Sequence, residues 1–335
     1  MAAMKQMDTL TSRDVIEASQ RIAPFIHKTP VVTSRLLNEW LGHELYFKVE
    51  GLQKIGAFKA RGALNILLSL KETGTLPEKV VAFSSGNHAQ AVAWSAQMLG
   101  IKARIFLPDF TSPIKVQATR SYGADVVLTK SRQEAETLTR EESEKGSYFI
   151  HPFDNPWVMA GQGTACYEAL QEGVMPHAVF APCGGGGLLS GTLLAARAFS
   201  SDIKVYAGEP EQANDASISY NTGKIFSFSD SPKTLADGAR TMAVSSTTFH
   251  YLQQLNGFFE IQEEEMIYWA QWLMHLLKVS CEPTSALAMA AAQHWLKSQQ
   301  EKKQVLVILS GGNIAPETMR LLWQNSYLEQ LPVIE

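Results

Sequence analysis

The chain has 335 residues, of which 45% are hydrophobic and 19% charged, and its formal net charge is −4. That length holds two domains sharing an interface or one large one, and the composition is that of a folded globular protein rather than a disordered chain. The small negative charge gives no electrostatic ground for nucleic acid or an anionic membrane as a partner.

Residues 1–8 lack the apolar stretch of a secretory leader, and no apolar run further on is long enough to span a bilayer. The pattern predicts helices over 14–22, with Ser12 as a candidate cap, and over 34–41, stopped by Gly42. A strand-like run over 45–49 feeds a loop with Gly51 and Gly56, which delivers Phe58 and Lys59 to a helix over 60–70. Strands over 80–84, 103–107 and 125–128 then lead into helices over 89–99, 113–122 and 131–145, which end at Gly100, Gly123 and Gly146. The rest alternates likewise: strand 148–150, helix 163–171, strand 178–182, helix 188–199, strand 205–208, helices 263–277 and 284–298, and strand 305–310. This spacing argues an α/β fold with mainly parallel sheets, in which the block over 80–150 reads as a small domain inserted into a larger one. Cys166, Cys183 and Cys281 lie far apart, with no metal-ligand spacing, and read as buried thiols of a reducing, cytoplasmic compartment.

In such sheets ligands bind beyond the carboxyl ends of the strands, where helix N-termini gather. Lys59 stands at a helix start, two residues before Arg61, and both positive fields should lower its ammonium pKa. A rigidly held free amine suits Schiff-base chemistry, although a lone lysine also reads as a solvated surface residue. Ser84-Ser85-Gly86-Asn87-His88-Ala89-Gln90 offers hydroxyls and backbone N–H groups to a carboxylate and an amide to a ring hydroxyl, or else it is an ordinary helix cap. Gly184-Gly185-Gly186-Gly187, between a buried strand and an apolar helix, suits a phosphate wrapped by backbone N–H groups, the other reading being a flexible linker. Ser310-Gly311-Gly312-Asn313 sets a hydroxyl at the end of an apolar strand, or simply terminates it. Glu209 and Asp215 flank a short turn and suit an oxygen-ligand site for Mg²⁺ or Ca²⁺, or a helix N-terminus that favours acids. An amine, a phosphate cradle and an asparagine–serine pair together fit pyridoxal 5′-phosphate, with its aldehyde, phosphate, ring hydroxyl and ring nitrogen.

With these motifs in hand, the sequence resembles the serine/threonine dehydratase and serine racemase family of fold-type II pyridoxal-phosphate enzymes. The matching residues run in family order from Gln53-Lys54 and Phe58-Lys59-Ala60-Arg61-Gly62-Ala63 through Ser85-Gly86-Asn87-His88-Ala89-Gln90 and Ala160-Gly161-Gln162-Gly163-Thr164. They continue with the tetraglycine, Leu235-Ala236-Asp237-Gly238, Glu282-Pro283-Thr284 and Ser310-Gly311-Gly312-Asn313. The resemblance implies two open, twisted, mainly parallel sheets flanked by helices. A large cofactor domain (1–72 and 156–335) would carry an inserted small domain (73–155), in a homodimer or homotetramer. It implies Lys59 as the Schiff-base lysine, Phe58 packing on the cofactor ring, Asn87 on the ring oxygen, Gly184, Gly185, Gly186 and Gly187 on the phosphate, and Ser310 facing the ring nitrogen. Ser85, Asn87 and the backbone of His88 and Ala89 would hold the substrate carboxylate. Glu209, the Ala213 carbonyl and Asp215 match the divalent-cation site, and Glu282 a residue near the ring.

Two departures stand out. Ile55 and Ala57 replace hydroxyl residues that usually precede the lysine, and Glu136 aligns where racemases place an arginine, with Arg132 close by. The expected activity is conversion of L-threonine, L-serine or a related β-hydroxy amino acid to a 2-oxo acid and ammonia, with Lys59 as the α-proton base. The alternatives are an amino-acid racemase using Ser85 as a second acid–base, a 3-hydroxyaspartate-type dehydratase, and a cofactor carrier without catalysis.

Overall fold

The structure, a computed structural model, describes residues 9–333; the stretch 1–8, where no leader is expected, lies outside them. The first elements are α1 (Ser12–Ile22), β1 (Val31–Val32), α2 (Arg35–Leu41), β2 (Glu44–Val49) and α3 (Lys59–Glu72). Next come β3 (Lys79–Phe83), α4 (Asn87–Met98), β4 (Lys102–Pro108), α5 (Pro113–Ser121), β5 (Asp125–Thr129), α6 (Arg132–Glu144) and β6 (Tyr148–Phe149). Then follow α7 (Pro156–Gln171), β7 (Ala178–Pro182), α8 (Gly187–Phe199), β8 (Lys204–Pro210), α9 (Asp215–Thr222) and α10 (Ser246–Leu252). The chain closes with β9 (Gly257–Ile261), α11 (Glu263–Leu277), α12 (Pro283–Leu296), β10 (Gln304–Leu309) and α13 (Pro316–Leu322).

Two sheets result. One has the order β1-β2-β10-β7-β8-β9, parallel throughout except for the two-residue β1, which runs antiparallel at the edge. The other, β5-β4-β3-β6, is wholly parallel. Its strands all come from the stretch between Lys79 and Phe149. Strands β7 and β10 read as unbroken apolar runs, and they are buried because helices cover both faces of the larger sheet.

Close helix packing holds the lysine helix between α7 and α4. Helices α3, α7 and α8 meet through glycines: a Cβ on Gly161 would stand 2.7 Å from Gly62 Cα, and one on Gly163 would stand 2.5 Å from the Gly191 carbonyl oxygen. The first turn of α3 is pinned by a buried ionic cluster. The Arg61 guanidinium donates to both oxygens of Glu50 (2.7 and 2.8 Å) and both of Glu168 (2.8 Å each), and Lys48 donates to Glu168 at 2.8 Å. Removing such charges from water is costly, and only this complete pairing makes it tolerable.

Candidate active site

The carboxyl ends of β7 and β10 and the N-termini of α3, α4 and α8 converge on a cavity of about 110 Å³ between the two sheets. Residues from most of the motifs singled out in the sequence line it; the Glu209–Asp215 turn does not, nor does the Ala160–Thr164 stretch, whose Gly161 and Gly163 serve the packing of α7 on α3 and α8.

Lys59 opens α3, and its amine donates to the Pro152 carbonyl at 2.7 Å. Burial pulls its pKa from 10.5 down to about 8, against the opposing charge of Glu282. The direction is the expected one but the cause differs: the Arg61 charge is spent on Glu50 and Glu168, and desolvation of the amine does the lowering. The amine lies 5.1 Å from the Phe58 ring centroid.

The tetraglycine forms the turn from β7 into α8, with Gly186 at φ +86°, a conformation that glycine enters freely. No side chain fits there. A Cβ on Gly185 would overlap the Phe153 ring, and one on Gly184 would stand 2.7 Å from the Gly238 carbonyl oxygen. What remains is a bare cradle of backbone at the N-terminus of a 13-residue helix, a shape and polarity suited to a phosphate.

Opposite, Asn87 and His88 start α4. The Asn87 amide donates to both Glu282 oxygens, at 3.1 and 3.2 Å. The His88 ring contacts the Ile150 carbonyl at 2.8 Å through Nε2, and burial followed by the Lys59 charge drives its pKa to about 3. His88 is therefore neutral, and Nε2–H donates to that carbonyl. Ser85 lines the cavity wall. Ser310, at the end of β10, has its hydroxyl 3.1 Å from Ser285 Oγ and 3.4 Å from Glu282 Oε1. Burial, with help from Asp237, raises the Glu282 carboxyl to about 7, so near neutral pH it exchanges between acid and anion.

Glu209 and Asp215 form a separate buried pair. Glu209 accepts from the backbone N–H groups of Ala216 and Ser217 (3.1 and 2.8 Å), and Asp215 Oδ1 accepts from Thr241 at 3.1 Å. Asp215 Oδ2 is buried without a partner. Burial and then the neighbouring Asp215 push Glu209 well above the carboxylate range, and burial takes Asp215 to about 7. No cluster of three or more His, Cys, Asp or Glu side chains with metal-ligand geometry occurs among the described residues, so a cation here would rest on two carboxylates and carbonyl or water oxygens.

Several cavity contacts escaped the sequence reading, although Asp237 stands in a matched motif and Arg132 beside a noted departure. Lys115 and Asp237 form an ion pair, and Arg132 donates from Nη1 to the Arg240 carbonyl. Each contact joins a helix of the smaller sheet to the 237–240 turn of the larger one, and such pairings between distant segments have no local signature. Phe153 and Thr241 also line the cavity. Arg132 stands out in the sequence only for its nearness to Glu136.

The fold and the cavity together are those of an α/β protein with a backbone cradle suited to a phosphate in the same cavity as Lys59. A family model described as pyridoxal-phosphate dependent enzyme matches residues 22–311. The chain is 42% identical over 307 residues to the L-threo-3-hydroxyaspartate ammonia-lyase of Saccharomyces cerevisiae, covering 91% of this chain and 93% of that one. It is 43% identical over 307 residues to the serine racemase of Schizosaccharomyces pombe, covering 91% and 94%. A solved structure, the serine racemase of Dictyostelium discoideum, matches with a TM-score of 0.85 at 39% identity, covering 92% of this chain and 100% of that one. The chain belongs to the pyridoxal-phosphate dependent enzymes of fold type II, as its motifs led one to expect.

Proposed function

We propose that this enzyme is a carbon–oxygen lyase that converts a β-hydroxy amino acid of the L-threonine or L-serine type to a 2-oxo acid and ammonia. The observation that carries the reading is the Lys59 amine, held at a pKa of about 8 in the same cavity as the bare tetraglycine cradle. Pyridoxal phosphate, when bound, supplies an aldehyde for an amine and an electron sink for the substrate α-carbon. Gly184 to Gly187 would hold its phosphate, Phe58 would pack on the ring, Asn87 would meet the ring oxygen, and Ser310 would meet the ring nitrogen.

The chain's own groups do the rest. Ser85, Asn87 and the backbone N–H groups of His88 and Ala89, at the electropositive start of α4, orient the substrate carboxylate. Lys59 as free amine removes the α-proton. The β-hydroxyl leaves as water, and hydrolysis of the released enamine returns a water and frees ammonia. The divalent-cation site at Glu209, Ala213 and Asp215 belongs to the same proposal. Its support is the orphaned Asp215 oxygen and two carboxylates whose mutual repulsion a cation would relieve.

One observation favours the acidic member of the substrate class, 3-hydroxyaspartate: Arg132 lines the cavity, and a guanidinium there matches a second carboxylate. The racemase reading rests on Ser85 in the cavity wall. A panel of threonine, serine and 3-hydroxyaspartate, in both enantiomers and in threo and erythro forms, separates these readings. Release of 2-oxo acid supports the lyase, and chiral chromatography of the remaining substrate detects racemisation. Inversion of configuration without 2-oxo acid from any substrate would overturn the proposal.

A further inference from the structure

An asparagine amide is useful to a ligand only if its nitrogen and oxygen are the right way round. In the cavity wall that choice for Asn87 is made elsewhere. Asn313, just after β10, donates from Nδ2 to the Ile55 carbonyl at 2.7 Å and to Asn87 Oδ1 at 2.8 Å. A backbone carbonyl only accepts, so the Ile55 contact fixes which end of the Asn313 amide is nitrogen. Asn87 must then present oxygen to Asn313 and nitrogen to Glu282, whose two oxygens lie 3.2 and 3.1 Å away. The flipped amide would set donor against donor at Asn313 and, whenever Glu282 is ionised, oxygen against oxygen there. Glu282 keeps an accepting oxygen for Asn87 whether or not it carries a proton, since both oxygens are in reach.

Two glycines and one unusual residue accommodate the arrangement. A Cβ on Gly56 would stand 2.6 Å from Asn313 Oδ1, and one on Gly311 would stand 2.8 Å from Glu282 Oε1. Ile55, whose carbonyl anchors Asn313, sits at φ +60°, a conformation rare for a β-branched residue and retained only where the surroundings over-determine it.

We infer that Asn313 is a positioning residue that locks the amide polarity of Asn87, so that Asn87 offers its Nδ2 donor rather than Oδ1 to an electron-rich oxygen in the cavity, such as the ring phenolate of the cofactor. The inference rests on the reading of Asn87 given above. Asn313→Asp keeps the shape but replaces the donor with an acceptor, and it invites Asn87 to flip.

The test measures the dissociation constant of pyridoxal phosphate from the whole enzyme by absorbance titration, for the native chain, Asn313→Asp, Asn87→Ala and the double variant. Asn313→Asp is expected to weaken binding on the order of tenfold alone and less than twofold once Asn87 is alanine, because its effect passes through Asn87. Where the aspartate variant fails to fold, Asn313→Ala, which only removes the donor, is put through the same cycle with the same expected non-additivity. An Asn313 effect that persists in full in the Asn87→Ala background, or no effect of Asn313 at all, overturns the inference. Unchanged affinity in Asn87→Ala alone overturns the underlying role of Asn87 instead, so the two failures are distinguishable.

Discussion

At the scale of single residues, the site depends on how burial sets charge. Lys59 has its pKa lowered to about 8, so an appreciable share of it is free amine near neutral pH, where an exposed lysine would be almost wholly protonated. Capture of pyridoxal phosphate by the cofactor-free enzyme should therefore accelerate as pH rises from about 6.5 to about 9. Stopped-flow absorbance measures this, and a pH-independent rate would contradict the assignment. Lys59→Ala should lose both the visible absorbance of the lysine-bound cofactor and turnover. Ser85→Ala separates the two enzyme readings, because a lysine reaches one face of the substrate and inversion needs a proton donor on the other. If Ser85 is that donor, the variant loses racemisation in both directions while dehydration from the lysine face persists, with KM raised by the weaker carboxylate grip. Equal loss of dehydration from both enantiomers at unchanged KM would reduce Ser85 to a helix cap.

At the scale of elements, what was legible depended on whether a feature is local. The βα alternation, the turn glycines and the cradle are written in short stretches, and α11 begins and ends where its pattern does. The sequence pattern predicts α7 only from 163, yet the helix begins at Pro156, with Asn155 capping the N–H groups of Trp157 and Val158. Gly161 and Gly163 weaken the helical signal there. They are present because neighbouring backbones pass within Cβ distance, a fact about α3 and α8 rather than about α7 itself. The Glu209–Asp215 pair is similar: its spacing was visible, but its burial was not. Both carboxyls have folded-state pKa values above their unfolded ones, so without a cation their contribution to stability is present at low pH and is lost as pH rises, for Asp215 from about 4 through about 7 and for Glu209 beyond the ordinary carboxylate range. On the proposed cation site, Mg²⁺ or Ca²⁺ would take the ionised pair and compete with those protons. The gain in Tm on adding cation, RT ln(1 + [L]/Kd) in free energy, should thus be larger at pH 8 than at pH 6. Asp215→Asn should abolish the gain while raising the Tm of the cation-free protein. Thermal melts with and without chelator decide the matter: no shift at either pH would leave these acids as a helix cap, and an equal gain at both pH values would mean that cation binding does not compete with their protons.

At the scale of the whole molecule, the cavity exists only because two sheets face each other, so whatever holds them together governs access to it. Two contacts tie the two sides of the cavity together, both from first turns of helices on the smaller sheet: Lys115 of α5 to Asp237, and Arg132 of α6 to the Arg240 carbonyl. Lys115 is 12% exposed and Asp237 34%, so the pair is partly desolvated and stronger than a free surface bridge, yet reachable by water and able to open. A latch of this kind contributes little to global stability and more to the population of the closed state. Lys115→Met keeps the aliphatic stem and removes only the charge. It should raise KM several-fold with a smaller change in kcat, speed amide exchange in α5, and lower stability by no more than about 1 kcal/mol. Asp237→Asn should give the same pattern, and the double variant should be no worse than either alone, since one bond is lost in all three. Amide exchange by mass spectrometry and steady-state kinetics measure the two halves of this prediction. A large stability loss with unaltered α5 exchange would mean that the pair supports the fold and that opening occurs elsewhere.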